Sequence, residues 1–177
     1  LIKNLFPIIP RIENDGIVLD RITQKDAEDL KDFVSSSAVY EYEPTFLFEK
    51  KYDDVTYVID HLYDECLESS LILGIYVDDK FAGIAEFYGF SDRIHKVSIG
   101  FRLSEKYWSR GIGTRAVKAM IDYLETQTNI EIIQASTLPE NNRSARVLEK
   151  LGFTLVVKNS DEDWGFGGLT PTDKWIL

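Results

Sequence analysis

Seven consecutive residues, Trp108, Ser109, Arg110, Gly111, Ile112, Gly113 and Thr114, set hydrogen-bond donors and two glycines at the start of an amphipathic run. The first turn of a helix leaves backbone N–H groups without partners, and the helix dipole adds positive potential there. Glycine lets main chain approach an oxygen-rich group and permits dihedrals that other residues avoid. Such a turn suits a pyrophosphate, with Arg110 and Thr114 as further donors. One strand later, Asn141 and Ser144 open a second helix that closes on Lys150, Leu151, Gly152 and Phe153. Asn141 is a favoured N-cap residue, Ser144 offers a hydroxyl in the first turn, and Gly152 suits a C-cap. Two polar helix mouths separated by a strand point to a phosphorylated cofactor held at a helix N-terminus.

The glycines alone admit other readings. They can make only a tight connection. Gly111, Gly113 and Ala116 also fit the dinucleotide fingerprint G-x-G-x-x-A. Against that reading, residues 104–110 separate the turn from its strand. The next strand ends in Ala135, Ser136 and Thr137 rather than in an acidic residue.

The elements that must carry these residues follow from periodicity. Residues 17–21 read as a first strand. Residues 24–34 and 53–67 read as helices joined by a long polar and aromatic connection, 35–51, broken at Pro44. Residues 71–77 and 81–90 read as a hairpin around Asp78, Asp79 and Lys80. In 93–103, Val97, Ile99, Phe101 and Leu103 alternate with Lys96, Ser98, Gly100 and Arg102, a period of two. Residues 111–127 form a helix with a core stripe of Ile112, Ala116, Val117, Met120, Ile121 and Leu124. A strand over 130–137 and a helix over 141–151 follow, and strands 153–157 and 173–177 close around a polar loop. Helices mixed with an antiparallel meander mean a mixed sheet covered by helices.

Composition narrows the classes. The chain has 177 residues, enough for one core and one domain. Lys and Arg total 20 against 30 Asp and Glu, a net charge of −10. That repels phosphate backbones, so nucleic acid is not expected as a partner, and it attracts cations. No apolar run reaches the roughly 18 residues of a membrane span, and no signal pattern opens the chain, so a cytoplasmic location is expected. Cys66 is the one cysteine and reads as a small core residue. With only His61 and His95, a zinc site is not expected.

Ile99 to Leu103, Tyr107 to Thr114, Pro139 to Asn141 with Ser144, and Val147 to Phe153 together resemble the GNAT superfamily of acetyl-coenzyme A-dependent N-acetyltransferases. The branch they look most like is the RimJ/RimL type, which acetylates protein N-termini and assorted small amines. The matches cover residues 97–157. The resemblance implies an α/β fold (α+β, mixed sheet) with six or seven strands and about four flanking helices, in a single N-acetyltransferase domain over 1–177. It implies acetyl-CoA (CoA) as cofactor. Phe101, Arg102 and Leu103 would lie beside the pantetheine arm and offer backbone groups. The amides from Arg110 to Thr114 would hold the pyrophosphate, with Trp108 and Ser109 in the same turn, and Asn141 and Ser144 would contact the coenzyme.

Many relatives use a tyrosine on the last helix as the acid for the leaving thiolate. Leu148 holds that position here, so Ser144 is the nearest polar substitute. Relatives often place a glutamate just before Ile-Gly in the central strand, where this chain has Ser98. Glu86, alternating with Ile84 and Tyr88 on the neighbouring strand, is the candidate base; His95 reads as a surface residue, and a water chain is the alternative. Two acidic and aromatic segments would flank the acceptor. One holds Tyr42 and Glu43 beside Tyr40 and Glu41, and the other Asp163 and Trp164 beside Asp161 and Glu162. They suit a cationic amine through charge and cation–π contact, or are simply solvated acidic loops. With no nucleophile–base pair in view, the expected chemistry is direct attack by the amine of a small molecule or protein N-terminus. The expected assembly is a monomer or homodimer. The alternative is a CoA-binding sensor or interaction module without catalysis.

Overall fold

Leu71, Ile72, Leu73, Ile75 and Tyr76 form too continuous an apolar run for a strand with one wet face. In the computed structural model, which describes residues 1–43, 47–164 and 167–177, both faces of this strand, β3 (Ser70–Val77), are covered. It pairs antiparallel with β4 (Lys80–Ser91), and β4 pairs with β5 (Lys96–Leu103). On its other side β3 pairs with β2 (Ile17–Asp20), and β2 with the short β1 (Ile12–Asn14).

The chain leaves β5 through helix α4 (Ile112–Gln127) and returns in β6 (Ile132–Thr137), which lies parallel to β5. A parallel return needs such a crossover, because a hairpin turn cannot reverse the chain twice. After α5 (Asn142–Lys150) come β7 (Thr154–Asp163) and β8 (Leu169–Ile176), with β8 inserted between β6 and β7. The described sheet has eight strands in the order β1-β2-β3-β4-β5-β6-β8-β7. Among the described residues three further α-helices precede α4: the single turn α1 (Ile2–Leu5), α2 (Ala27–Ser35) and α3 (Val55–Cys66). Helices α2 and α3 pack on each other and over β4 and β3 respectively, and α4 packs over β1, β2 and β5.

The eighth strand exceeds the expected six or seven because β1 is only three residues long, too short to show a period. Its signal was the Asp15–Gly16 dipeptide. Both residues have positive φ (49° and 73°), which suits a two-residue hairpin loop. The polar loop expected between 157 and 173 is also mostly strand. β7 is an edge strand exposed along most of its length, so burial imposes no apolar alternation on it. Asp161, Glu162 and Asp163 are therefore the last residues of β7 rather than part of a loop. The expected period of two in β5 also misleads about its polar side: Ser98 and Arg102 are buried, because both faces of the sheet are covered there.

The pairing of β5 with β6 stops early. It joins Lys96–Ser98 to Ile132–Gln134 and goes no further. Beyond Ser98, β5 continues alongside β4 to Leu103, while β6 continues alongside β8 to Thr137. The sheet opens as a wedge at this point, and the edge of β5 from Ile99 onward faces the gap.

Candidate active site

The glycine turn lies at the outer end of the wedge. Gly111 is the N-cap of α4 with φ of +72°, and no side chain among the described residues caps the helix. The first hydrogen bond back to it comes from the Arg115 amide, at 3.1 Å, which leaves the Ile112, Gly113 and Thr114 amides outside the helical ladder. The two glycines are needed for different reasons. A Cβ at Gly111 would meet nothing within 4 Å, so only its left-handed backbone calls for glycine. A Cβ at Gly113 would lie 2.9 Å from Phe101 Cε2, so glycine is what lets α4 sit against β5.

A groove of about 290 Å³ runs along this turn. Trp108, Ser109, Gly111, Ile112, Gly113 and Thr114 line it, as do Phe101, Arg102, Leu103, Asn141 and Ser144. Arg110 does not line it, and its side chain is exposed. The turn gathers two unanticipated cations instead: Arg143, whose guanidinium stacks 3.9 Å from the Trp108 ring centroid, and Arg146. The Leu103 carbonyl is already taken, accepting a 2.8 Å hydrogen bond from Trp108 Nε1. It is therefore not among the free backbone acceptors expected on this strand. Asn141 caps α5, its Oδ1 accepting from the Ser144 amide at 3.2 Å.

At the inner end of the wedge is a chamber of about 450 Å³. Glu86 and all four expected acceptor residues, Tyr42, Glu43, Asp163 and Trp164, line it. Among the described residues, six border both groove and chamber: Tyr42, Glu43, Phe101, Arg102, Asn141 and Ser144. Leu148 is a buried wall of the chamber with no polar group to offer.

Three carboxylates surround one guanidinium beside this junction. Arg102 Nη2 lies 2.8 Å from Glu49 Oε1, while Nη1 lies 3.4 Å from Glu86 Oε2 and 3.5 Å from Glu43 Oε2. Tyr40 Oη donates to Glu49 Oε1 at 3.3 Å. Burial opposes the charge on Arg102, yet the three glutamates outweigh it and hold the guanidinium firmly protonated. Burial pushes the Glu43 carboxyl up to about 7; Glu49 and Glu86 add to the rise and Arg102 opposes it. Glu86 is raised for the same reason, with Arg102 and a hydrogen bond from Ser70 opposing. Glu49 Oε2 and Arg102 Nε find no hydrogen-bond partner among the described residues.

A second polar group lines the chamber. Lys174 Nζ is 2.5 Å from Glu162 Oε1 and donates to Ser136 Oγ at 3.0 Å. The side chain of Arg102, Glu49 and Lys174 were not foreseen as site residues. Arg102 was expected to supply backbone only, and its one sequence signal was a long cation inside a strand otherwise rich in apolar residues. Asp163 and Trp164 belong to the chamber as the end of β7 and the residue after it, not as a loop. His95 is on the surface, 3.1 Å from Glu131, and Cys66 is fully buried. Among the described residues no group of His, Cys, Asp and Glu is placed to hold a metal ion, and no helix is long and apolar enough to cross a membrane.

Comparison with known proteins gives these features a context. The family model for the acetyltransferase (GNAT) domain matches residues 17–154. An uncharacterized N-acetyltransferase, p20 of Bacillus licheniformis, is 26% identical over 141 residues, covering 78% of this chain and 79% of that protein. A GNAT-family acetyltransferase structure from Bacillus anthracis superposes with a TM-score of 0.79 at 20% identity, over 95% of this chain and 98% of the other. The coenzyme A complex of RimL, a ribosomal L7/L12 alpha-N-protein acetyltransferase, also gives 0.79, at 14% identity, over 95% and 97%.

Proposed function

The chain belongs to the GNAT acetyltransferase family, and from that premise we propose that it moves an acetyl group from acetyl-CoA to a primary amine by direct attack. The observation that carries this reading is the wedge. An uncapped helix N-terminus and a free strand edge lead into a chamber lined with carboxylates, and the two spaces share one border. The residues present fit the cofactor. The amides of Ile112, Gly113 and Thr114, outside the helical ladder, suit a pyrophosphate, and the missing Cβ at Gly113 keeps the path along Phe101 open. Bound there, acetyl-CoA supplies an activated acyl group.

The chain's own residues then have four tasks. The unpaired edge of β5 at Phe101 and Arg102 orients the pantetheine arm as an added strand would be held. A backbone amide of that edge donates to the developing oxyanion. Ser144, on the shared border, donates a hydrogen bond to the departing sulfur. A carboxylate near Arg102, either Glu86 or Glu43, takes the proton from the amine.

The acceptor is a small cationic amine or a protein N-terminus. Tyr42, Glu43, Asp163 and Trp164 bring two carboxylates and two aromatic rings to the chamber, which favours an ammonium group over an anion. Trp108 and Ser144 support placement in the RimJ/RimL-like branch. A CoA-binding module without turnover is the second reading, favoured by the apolar Leu148 at the position of the family's acid. A thermal-shift comparison of acetyl-CoA with NAD decides the cofactor. At a hundredfold excess over its dissociation constant a ligand adds about 2.7 kcal/mol. The midpoint should rise by about 5 °C with acetyl-CoA alone. A broad amine panel that released no CoA would favour the non-catalytic module.

A further inference from the structure

We propose that Glu43, rather than Glu86, takes the proton from the acceptor ammonium; this inference rests on the acetyl-transfer reading above. Position is the first argument. Glu43 borders both groove and chamber, where an amine entering from one side would meet a thioester held on the other. Glu86 borders the chamber alone. Glu49 is excluded by access, since its side chain is completely buried, whereas that of Glu43 is 19% exposed and has a route for returning its proton to water.

The three carboxylates are also held differently. Glu49 has the closest approach to Arg102, at 2.8 Å, and fixes the guanidinium. Glu86 shares Arg102 Nη1 and has a second donor in Ser70. Glu43 approaches the same Nη1 at 3.5 Å, much as Glu86 does, and Arg102 is its hydrogen-bond partner. It is oriented by Arg102 without being saturated, which leaves its oxygens able to accept from a ligand.

Electrostatics supports the same choice. The groups facing Glu43 are Arg102 on β5, Glu86 and Tyr88 on β4, and Tyr40 and Glu49 from the connection between α2 and α3. Burial, reinforced by the two other glutamates, holds its proton affinity near 7 against the pull of Arg102. A base poised near the working pH combines a useful ionised fraction with the strength to accept a proton.

The ammonium gives one proton to the Glu43 carboxylate, which later passes it to water. The nitrogen lone pair forms the C–N bond to the acetyl carbon. The C–S bond breaks with its electron pair on sulfur. The second nitrogen proton passes to that sulfur, beside the Ser144 hydroxyl. An ammonium and a thioester thus become an amide, a thiol and one released proton.

The test combines kinetics with direct titration. The pH dependence of kcat/KM is measured for the wild type, E43Q and E86Q, using acetyl-CoA with spermidine and with an alanine-initiated peptide as acceptors. Acetyl-CoA binding is followed by calorimetry in each. The wild type should lose activity as pH falls through about 7. E43Q should bind acetyl-CoA normally, lose that acid limb and fall by about 10²-fold or more in kcat/KM. E86Q should keep the limb whatever its rate. Carboxyl NMR of the ¹³C-glutamate-labelled wild type, saturated with acetyl-CoA, needs no acceptor. The resonance missing from E43Q should titrate near 7. A Glu43 resonance that titrates below pH 5, or an E43Q enzyme that keeps the acid limb and its rate, would overturn the assignment. A wild type that does not bind acetyl-CoA would instead remove the premise, and the proposal with it.

Discussion

The groove and the chamber share a border but are made of different materials. The groove's donors are largely main chain: helix amides outside the ladder, two glycines and a strand edge, all from residues 99–114, close in sequence. The chamber is largely side chain. Glu43, Glu86, Arg102, Glu162 and Lys174 reach it from the α2–α3 connection and from four different strands, with the buried Glu49 paired to Arg102. The consequence is a division of labour. Main-chain donors bind any pyrophosphate whatever side chains surround them, while buried charges tune one another and can select a substrate. A substitution in the groove should therefore act through shape, and one in the chamber through charge.

The largest effect should come from Arg102. Replacing it with Met leaves three carboxylates facing one another without a counterion. Breaking a buried ion pair from one side costs about 3–5 kcal/mol. R102M should lose that much in urea unfolding at pH 7.5, and part of the loss should return at pH 5.5 as the carboxyls protonate. R102M/E49Q should recover part of it at either pH. A loss equal at both pH values would show that Arg102 matters for packing rather than for charge.

The pH dependence of stability should show the next largest effect. Glu43 has a folded-state value of about 7 against an ordinary 4.5, so between these values the folded chain holds more protons than the unfolded one. Stability from this group is therefore present at low pH and falls as pH rises through that window, by on the order of 2–3 kcal/mol. Denaturation followed from pH 5 to 8 should be steeper for the wild type than for E43Q. The groove predicts no such slope, and a pH-independent difference between the two proteins would erase the contrast between the regions.

In the groove the two glycines separate two kinds of shape. G111A places a Cβ in open space but keeps the positive φ, at about 1–2 kcal/mol, and G111N should recover part of that. G113A has no backbone penalty of this kind, but it pushes against Phe101, and overpacking costs about 1–3 kcal/mol. G113A should weaken acetyl-CoA binding, measured by calorimetry, because the displaced ring borders the groove. G111A should alter stability more than affinity. The reverse order would mean that the path along Phe101 is not where the cofactor runs.

The same difference of materials explains what was legible in the sequence. The α4 stripe and the glycine turn could be read because periodicity and backbone permissiveness are local properties. The mixed sheet followed from the order of elements. The Arg102 cluster could not be read, because nothing in a strand's alternation tells whether its second face is wet or covered, and Glu49 and Glu86 are far from Arg102 in the chain. β7 is illegible for a related reason: an edge strand exposed along most of its length has no apolar code. Asp163 and Trp164 nonetheless line the chamber, because β7 ends there whether its last residues are strand or loop.

The smallest expected effect is also the most discriminating. Asp163 borders the chamber but not the groove, whereas Glu43 borders both. If the chamber selects by charge, D163A should weaken attraction for a cationic acceptor without touching the proton transfer. A partly exposed charge contact is worth up to about 1 kcal/mol, so KM for spermidine should rise by roughly fivefold with kcat held. Added salt should narrow the gap between D163A and the wild type, since screening weakens what the substitution removes. KM for acetyl-CoA should stay the same, because the groove's donors are unaltered. A fall in kcat would instead put Asp163 with Glu43 in the chemistry. An unchanged KM in both D163A and E43A would remove the cationic acceptor altogether, leaving the acidic residues as a solvated rim around a chamber that selects by shape.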